Sequence, residues 1–279
     1  MRIAVAGGKG GTGKTLLATC MAEWLAGTNP VLVDVDVEEP NAALFIAHSM
    51  EKVKPVYRKT PWIDLERCDF CGKCADICEF NALVIVEGEV LLFPELCHSC
   101  QACHHLCPQK AISLRDYWVG QTEAARIEKG GRLVTGRLKV GEARSLPVIA
   151  AAKEQGRGGE WEIIDCPPGT SCPVMEALQG CDGCLLVTEA TPFGVHDLSL
   201  ALEGVRMLHL PVGLVVNRWQ GDDSGLDNLA SKWQIPILAR IPYDADLASH
   251  YARGLNPLSA FPWLEQMIKD IFEHIRGWG

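Results

Sequence analysis

No uninterrupted apolar run in these 279 residues approaches the ~18 that a membrane-spanning helix requires. Positive charge is also scarce. Lys and Arg number 26 against 35 Asp and Glu, a net charge of −9, which argues against a general nucleic-acid binder. A secretory signal is missing as well, since Met1 to Gly10 passes directly from a short apolar run into a glycine-rich loop. The expectation is a cytoplasmic protein that binds no nucleic acid and does not associate with membranes. What the chain does hold is cysteine. Thirteen cysteines in a reducing compartment read as metal ligands rather than disulfides. The length suits one large α/β domain, or one such domain with a small module.

Arg2 to Ala6 has the composition of a strand, Gly7 to Thr15 reads Gly-Gly-Lys-Gly-Gly-Thr-Gly-Lys-Thr, and Leu16 to Ala26 places apolar residues at helical spacing. Strand, loop and helix in that order make a phosphate loop. Gly8, Gly10, Gly11, Thr12 and Gly13 bring backbone N–H groups to an anion, Lys14 reaches the terminal phosphates, and Thr15 can hold Mg²⁺. Two further apolar runs, Pro30 to Asp36 and Trp161 to Asp165, end in acids. Buried parallel strands do this where their carboxyl ends open on a ligand crevice. Leu185 to Thr188, Val212 to Val216 and Ile237 to Ile241 alternate with helical segments, which argues a doubly wound, mostly parallel sheet.

Eight cysteines fall in two groups of one spacing, C-x₂-C-x₂-C-x₃-C: Cys68, Cys71, Cys74 and Cys78, then Cys97, Cys100, Cys103 and Cys107. The pattern is that of two-cluster bacterial ferredoxins, in which three thiolates of one run join the fourth of the other around each [4Fe–4S] centre. One set is then Cys68, Cys71, Cys74 and Cys107, the other Cys97, Cys100, Cys103 and Cys78. Zinc is the rival, but four ligands per ion leave the duplication unexplained. Cys78 departs from the pattern in being followed by Glu79 rather than proline. Leu83 to Phe93 reads as a hairpin turning at Glu87-Gly88-Glu89, and His98, His104 and His105 read as surface histidines. The module is placed at 58–118, inserted into an ATPase domain made of 1–57 and 119–279. Trp118 to Gly141 reads as a hairpin or linker back to that domain.

The loop with its second lysine, Lys9, resembles the deviant phosphate loop of the MinD/ParA/NifH family of ATPases. Asp34-Val-Asp36 with Asn41, and Asp165-Cys-Pro-Pro-Gly169, resemble that family's two switches. The resemblance implies ATP or ADP with Mg²⁺, and an ATP-dependent homodimer or a heterodimer with a paralogue. It implies that Lys9 acts across the dimer, that Asp36 positions the attacking water with Asn41 as a switch residue, that Asp165 contacts Mg²⁺ through water, and that the Gly169 N–H senses the terminal phosphate. Asp34 is the alternative to Asp36, and also reads as a capping carboxylate. Asn217-Arg218 resembles the family's adenine-recognition position, and Ile241 to Asp244 its base-covering loop.

Together these readings make an ATPase whose nucleotide state controls electron delivery through two clusters to a redox or iron–sulfur acceptor protein. A positioning ATPase with structural or sensing clusters, and a carrier that assembles and passes on clusters, are the alternatives. Cys181-x-x-Cys184 bears on the last. It reads either as an intersubunit cluster site or, since Cys184 opens an apolar run, as packing, and Cys20, Cys166 and Cys172 read as packing too. Phe261 to Trp278 puts Leu264, Met267, Ile268, Ile271, Phe272 and Ile275 on one helical face, with no basic excess opposite, and reads as a helix packed on the domain.

Overall fold

Strands with apolar residues on both faces can be covered only by helices on both sides, and the chain folds accordingly. The computed structural model describes residues 1–221 and 224–278. In chain order the strands are β1 Arg2–Ala6, β2 Val31–Asp34, β3 His48–Ile63, β4 Leu83–Val86, β5 Glu89–Leu92, β6 Ile112–Ile127, β7 Arg132–Leu138, β8 Glu162–Asp165, β9 Gly183–Glu189, β10 Val212–Trp219 and β11 Ile237–Pro242. The helices are α1 Lys14–Trp24, α2 Lys73–Asp76, α3 Ala102–Leu106, α4 Leu146–Gln155, α5 Cys172–Leu178, α6 Pro192–Met207, α7 Ser224–Trp233, α8 Ala245–Ala252 and α9 Pro262–Ile275.

The main sheet has the order β11-β10-β9-β1-β8-β2-β7-β6-β3. It is parallel from β11 to β7, while β6 runs antiparallel to both of its neighbours. Alternation along the strands divides the core in two. Ile3, Val5 and Leu32 face α1 and α9, where Leu17, Met21, Leu264 and Ile268 are buried and Trp24 stacks on Phe272 at 4.8 Å. Ala4, Val31 and Val33 face α4, α5 and α6, where Ile149, Ala177, Leu198 and Leu202 are buried. Each large side chain removed from water in this way contributes about 1.5–3 kcal/mol. The carboxy-terminal α9 thus packs on the domain, as its apolar stripe suggested. Among the described residues no helix is long and apolar enough to cross a membrane.

β1 lies between β9 and β8, and β2 lies beyond β8, so the carboxyl ends of β1, β8 and β2 stand side by side; Val5 and Asp34 are both in register with Asp165. This is the switch point at which open α/β sheets bind ligands. Trp118 to Gly141 is an integral part of the sheet, contributing the end of β6 and all of β7. β3 and β6 are paired from His48–Ile127 to Ile63–Ile112, so positions 57 and 118 lie inside these strands and are paired with each other beside a bulge at Val56–Tyr57. β3 is the exposed sheet edge, with Pro55 and Pro61 in it, residues that edge strands tolerate. β4 and β5 form a separate hairpin turning at positions 87–88.

Candidate nucleotide and cysteine sites

The loop between β1 and α1 is shaped by what surrounds it. Gly13 has φ +101°, and a Cβ there would stand 2.3 Å from Asn217 Nδ2. Only glycine satisfies both conditions. Asn217, 8% exposed at the end of β10, donates from Nδ2 to Thr12 O at 2.8 Å and accepts from Arg218 N at 2.9 Å. The position expected to recognise the base is thereby a clamp on the glycine loop. Lys14 Nζ turns back to donate to Lys9 O at 3.1 Å. Gly169, φ +93°, donates its N–H to Gly7 O at 3.2 Å, tying the second switch to the start of the loop.

A cavity of about 450 Å³ opens beside the loop, walled by Gly10, Gly11, Gly13, Lys14, Thr15, Asp36, Asn41, Asn217 and Arg218. Phe45 and Tyr251, stacked at 3.9 Å and 5°, line its far side, and neither carries a motif that would flag it. The three acids behave differently. Asp34 is fully buried and accepts from the N–H groups of Asp36, Asn41 and Ala42 at 3.1, 2.9 and 2.9 Å, so it acts as the capping carboxylate that organises the first switch loop. Burial nevertheless pushes it up, to about 7. Asp36 faces the cavity; desolvation lifts it to about 6 while the Lys14 ammonium pulls it back. Asp165 is 1% exposed, and neither carboxylate oxygen has a hydrogen-bond partner. Its carboxyl is held well above the usual range by burial and then by Asp34, with Thr15 and Lys14 opposing. A buried, unpartnered carboxylate beside the Thr15 hydroxyl is the donor set a hard cation such as Mg²⁺ takes.

Lys9 does not point into empty solvent. Its Nζ pairs with Glu189 Oε2 at 2.9 Å, and Arg218 Nη1 pairs with Glu189 Oε1 at 2.6 Å. Glu189 is the site residue that the motifs missed. It ends β9 just as Asp165 ends β8, and that position at the carboxyl edge was the available signal.

The second site lies off the same edge of the sheet. One cavity is ringed by Cys68, Cys71, Cys74 and Cys107, and another by Cys78, Cys97, Cys100 and Cys103. These are the crossed sets of the spacing argument. After desolvation, Cys68 and Cys107 help raise the Cys74 thiol, and Cys97, Cys100 and Cys78 help raise Cys103, to about 11. The duplication extends to the backbone. Phe70, Gly72 and Asn81 have φ of 57°, 81° and 51°, and the matching Ser99, Gln101 and Lys110 have 57°, 65° and 50°. Ala82 N donates to Cys78 Sγ at 3.3 Å, as Ala111 N does to Cys107 Sγ at 3.4 Å. Among the described residues no three His, Cys, Asp or Glu side chains converge on a point that would hold one metal ion. His98, stacked on Phe80 at 3.5 Å, and His105 are exposed as expected, whereas His104 is half-buried with Nδ1 2.6 Å from Ile112 O.

The remaining cysteines do not join either ring. Cys184 is fully buried in β9, and Cys181 is buried with its Sγ 3.5 Å from Ala177 O, which fits packing rather than an intersubunit cluster. Cys20 and Cys166 are buried as expected. Cys172 is exposed, and the packing expectation is corrected there, because it opens the first turn of α5 at the protein surface.

A backbone path links the two sites. Leu138 N donates to Val37 O at 2.8 Å, and Lys139 N to Val119 O at 2.9 Å. Arg58 on β3 then donates from Nη1 to Cys97 O at 3.0 Å and from Nη2 to Pro94 O at 2.6 Å.

Comparison with known proteins follows this division. An uncharacterised protein of Methanocaldococcus jannaschii is 30% identical over 282 residues, spanning 100% of this chain and 97% of the relative. An uncharacterised ferredoxin of the same organism is 33% identical over 57 residues, 19% of this chain and 74% of the ferredoxin. The solved structure of the septum site-determining protein MinD of Pyrococcus horikoshii, complexed with Mg-ADP, shares the fold with a TM-score of 0.58 and 16% identity, covering 98% of this chain and 95% of that one. The profile of the CbiA family, the CobQ/CobB/MinD/ParA nucleotide-binding domain, matches residues 3–258, and the chain belongs to that family.

Proposed function

We propose that the protein is a Mg²⁺-dependent ATPase whose nucleotide state governs electron transfer through two [4Fe–4S] clusters to a partner protein. The observation that carries this reading is the pair of cysteine rings, crossed as a two-cluster ferredoxin requires, in the segment between β3 and β6 of the same sheet that carries the phosphate loop. Rings that enclose a cavity suit a polynuclear cluster. A single zinc ion would draw four sulfurs to about 2.3 Å from one point. The N–H···S bonds to Cys78 and Cys107 fit thiolate ligands, and the ferredoxin relative favours the same assignment.

In this reading Gly8 to Gly13 wrap the phosphates with backbone N–H groups, and Lys14 leaves Lys9 O for the terminal phosphate. Thr15 and Asp165 would hold Mg²⁺, whose charge would supply electrostatic stabilisation of the phosphates. Asp36 orients the attacking water. Its carboxylate is ionised at neutral pH, being lifted only to about 6. Asn217 and Arg218 flank the base. Gly169 would exchange Gly7 O for the terminal phosphate, and Asn41 would follow, because its N–H hangs on Asp34. Lys9 would leave Glu189 to reach the partner subunit's phosphates in an ATP-dependent dimer. The eight ring cysteines supply low-potential one-electron chemistry when the clusters are bound. A positioning role is less well supported, because it gives the two cysteine rings no use.

The test is anaerobic. Iron and acid-labile sulfide are measured together with ATPase rate in the wild type and in Lys14→Ala. Lys14→Ala should keep its iron and lose hydrolysis, and ATP, but not ADP, should change how fast the dithionite-reduced protein passes electrons to a dye acceptor. Unchanged hydrolysis in Lys14→Ala, or electron transfer indifferent to nucleotide, refutes the proposal.

A further inference from the structure

The halves of the cysteine module are near copies, so the few places where they differ stand out. Asp69 beside the first ring corresponds to His98 beside the second. Asp69 accepts from Cys71 N at 3.2 Å and from Gln109 Nε2 at 2.9 Å, which keeps a carboxylate against that ring. The second ring instead receives guanidinium groups from outside the two cysteine runs. Arg58, buried, donates to Cys97 O and Pro94 O, and Arg144, from the loop before α4, donates to Leu96 O at 3.3 Å. Arg58 Nε, Arg144 Nε and Ser99 Oγ are all buried without a partner. The sulfurs differ too. Cys78 and Cys97 of the second ring accept N–H bonds, from Ala82 and Ser99, whereas in the first ring only Cys107 does so among the described residues.

We propose that Arg58 and Arg144 make the cluster held by Cys78, Cys97, Cys100 and Cys103 the more easily reduced of the two, so that electrons run from the outer ring, beside Ile63 and Ile112 at the strand ends, to the inner one, beside Lys59 and Pro61 further back along β3. This rests on the two-cluster reading above. Reduction adds negative charge to a cluster, so nearby cations and N–H donors favour it and nearby anions oppose it. Burial decides which charges count. Asp69, Arg67 and Lys73 are exposed and screened by water, while the Arg58 charge acts through protein. Glu142 offsets part of it, but stands 3.7 Å from Arg58, while the guanidinium donates directly to the Cys97 carbonyl. Solvent access is matched at Cys71 and Cys100, which are exposed alike, while the burial of Cys97 works against the added charge and is what the two guanidinium groups and the N–H donors must outweigh. The electron comes from an external low-potential one-electron donor. The transfer oxidises the outer cluster by one electron and reduces the inner by one, with no bond made or broken.

The experiment is a redox titration of the full chain, reconstituted anaerobically with iron and sulfide and followed by electron paramagnetic resonance. Two one-electron waves are expected, and Cys100→Ser should alter the spectrum of the higher one. Arg58→Gln should shift that wave's reduced-to-oxidised ratio about tenfold toward oxidised at fixed potential, ~59 mV, and leave the lower wave in place. Arg144→Gln should move the same wave in the same direction, and Asp69→Asn, which removes a water-screened charge, should leave both waves nearly in place. Arg144→Gln carries the test if Arg58→Gln fails to fold. A single wave, Cys100→Ser marking the lower wave, or arginine variants that bind iron without moving the higher wave overturn the inference. Wild type that binds no iron overturns the cluster reading itself.

Discussion

Replacing Asp165 by asparagine should make the nucleotide-free protein more stable and, at the same time, indifferent to Mg²⁺. The carboxylate is 1% exposed, both oxygens lack a partner, and Asp34 stands near enough to raise it further. A buried polar group without a hydrogen bond costs ~1–3 kcal/mol, and more when charged. An isosteric amide removes the charge and can donate toward Asp34, so a gain of about 1–3 kcal/mol is expected. In a chain of this size that is a rise of roughly 2–10 °C in melting temperature. The pH dependence has a definite sign. Because the folded value lies above the ordinary 3.8, the folded state holds more proton than the unfolded one between the two values, and stability falls as pH rises through that window. Asp165→Asn should flatten this fall, leaving the part due to Asp34 and Asp36. The assay is differential scanning calorimetry at matched iron content, with and without Mg-ADP across pH. Wild type should gain melting temperature from Mg²⁺ beyond that from ADP, and the variant should not. A lower melting temperature for the ligand-free variant, or a retained Mg²⁺ increment, would refute the reasoning.

Other substitutions probe the same edge of the sheet. Gly13→Ala forces a side chain into left-handed backbone, ~1–2 kcal/mol, and displaces the Asn217–Thr12 bond, ~0.5–1.5 kcal/mol, so chemical denaturation should report a loss of about 2–3 kcal/mol. Adding Asn217→Ala should relieve only the clash, and full recovery would show that the backbone is not strained. Glu189→Gln should change stability by less than about 1 kcal/mol, because Lys9 and Arg218 are partly exposed, yet raise the ATP-dependent dimer fraction in sedimentation by releasing Lys9; an unchanged dimer fraction argues against the trans role. ATPase activity should fall as pH drops through about 6, where Asp36 takes up a proton, and Asp36→Asn should lack that limb along with most of the activity. Cys181→Ser should retain full iron, whereas Cys103→Ser should lose part of it; iron lost from Cys181→Ser would revive the intersubunit cluster.

The amino-acid sequence by itself determined the class of the fold and the positions of the phosphate loop and ring cysteines. Their signals are local. Glycines needing positive φ, acids closing β-branched runs and a repeated cysteine spacing each act through a few neighbouring residues. β3 escaped detection for the opposite reason. It is an exposed edge carrying Lys52, Lys54, Pro55 and Lys59, without hydrophobic alternation, and its pairing with β6 alone makes it a strand. Only the tertiary structure decided that Asp34 organises a loop while Asp36 faces the cavity, because two acids one residue apart are separated by what hydrogen-bonds to them. Only it joined Glu189 to Lys9, 180 positions apart. The same holds for Arg58, an ordinary arginine in sequence, which the pairing of β3 with β6 brings to the carbonyl of Cys97. Charge and burial act through space, and which residues share that space is settled by strand order rather than by any motif.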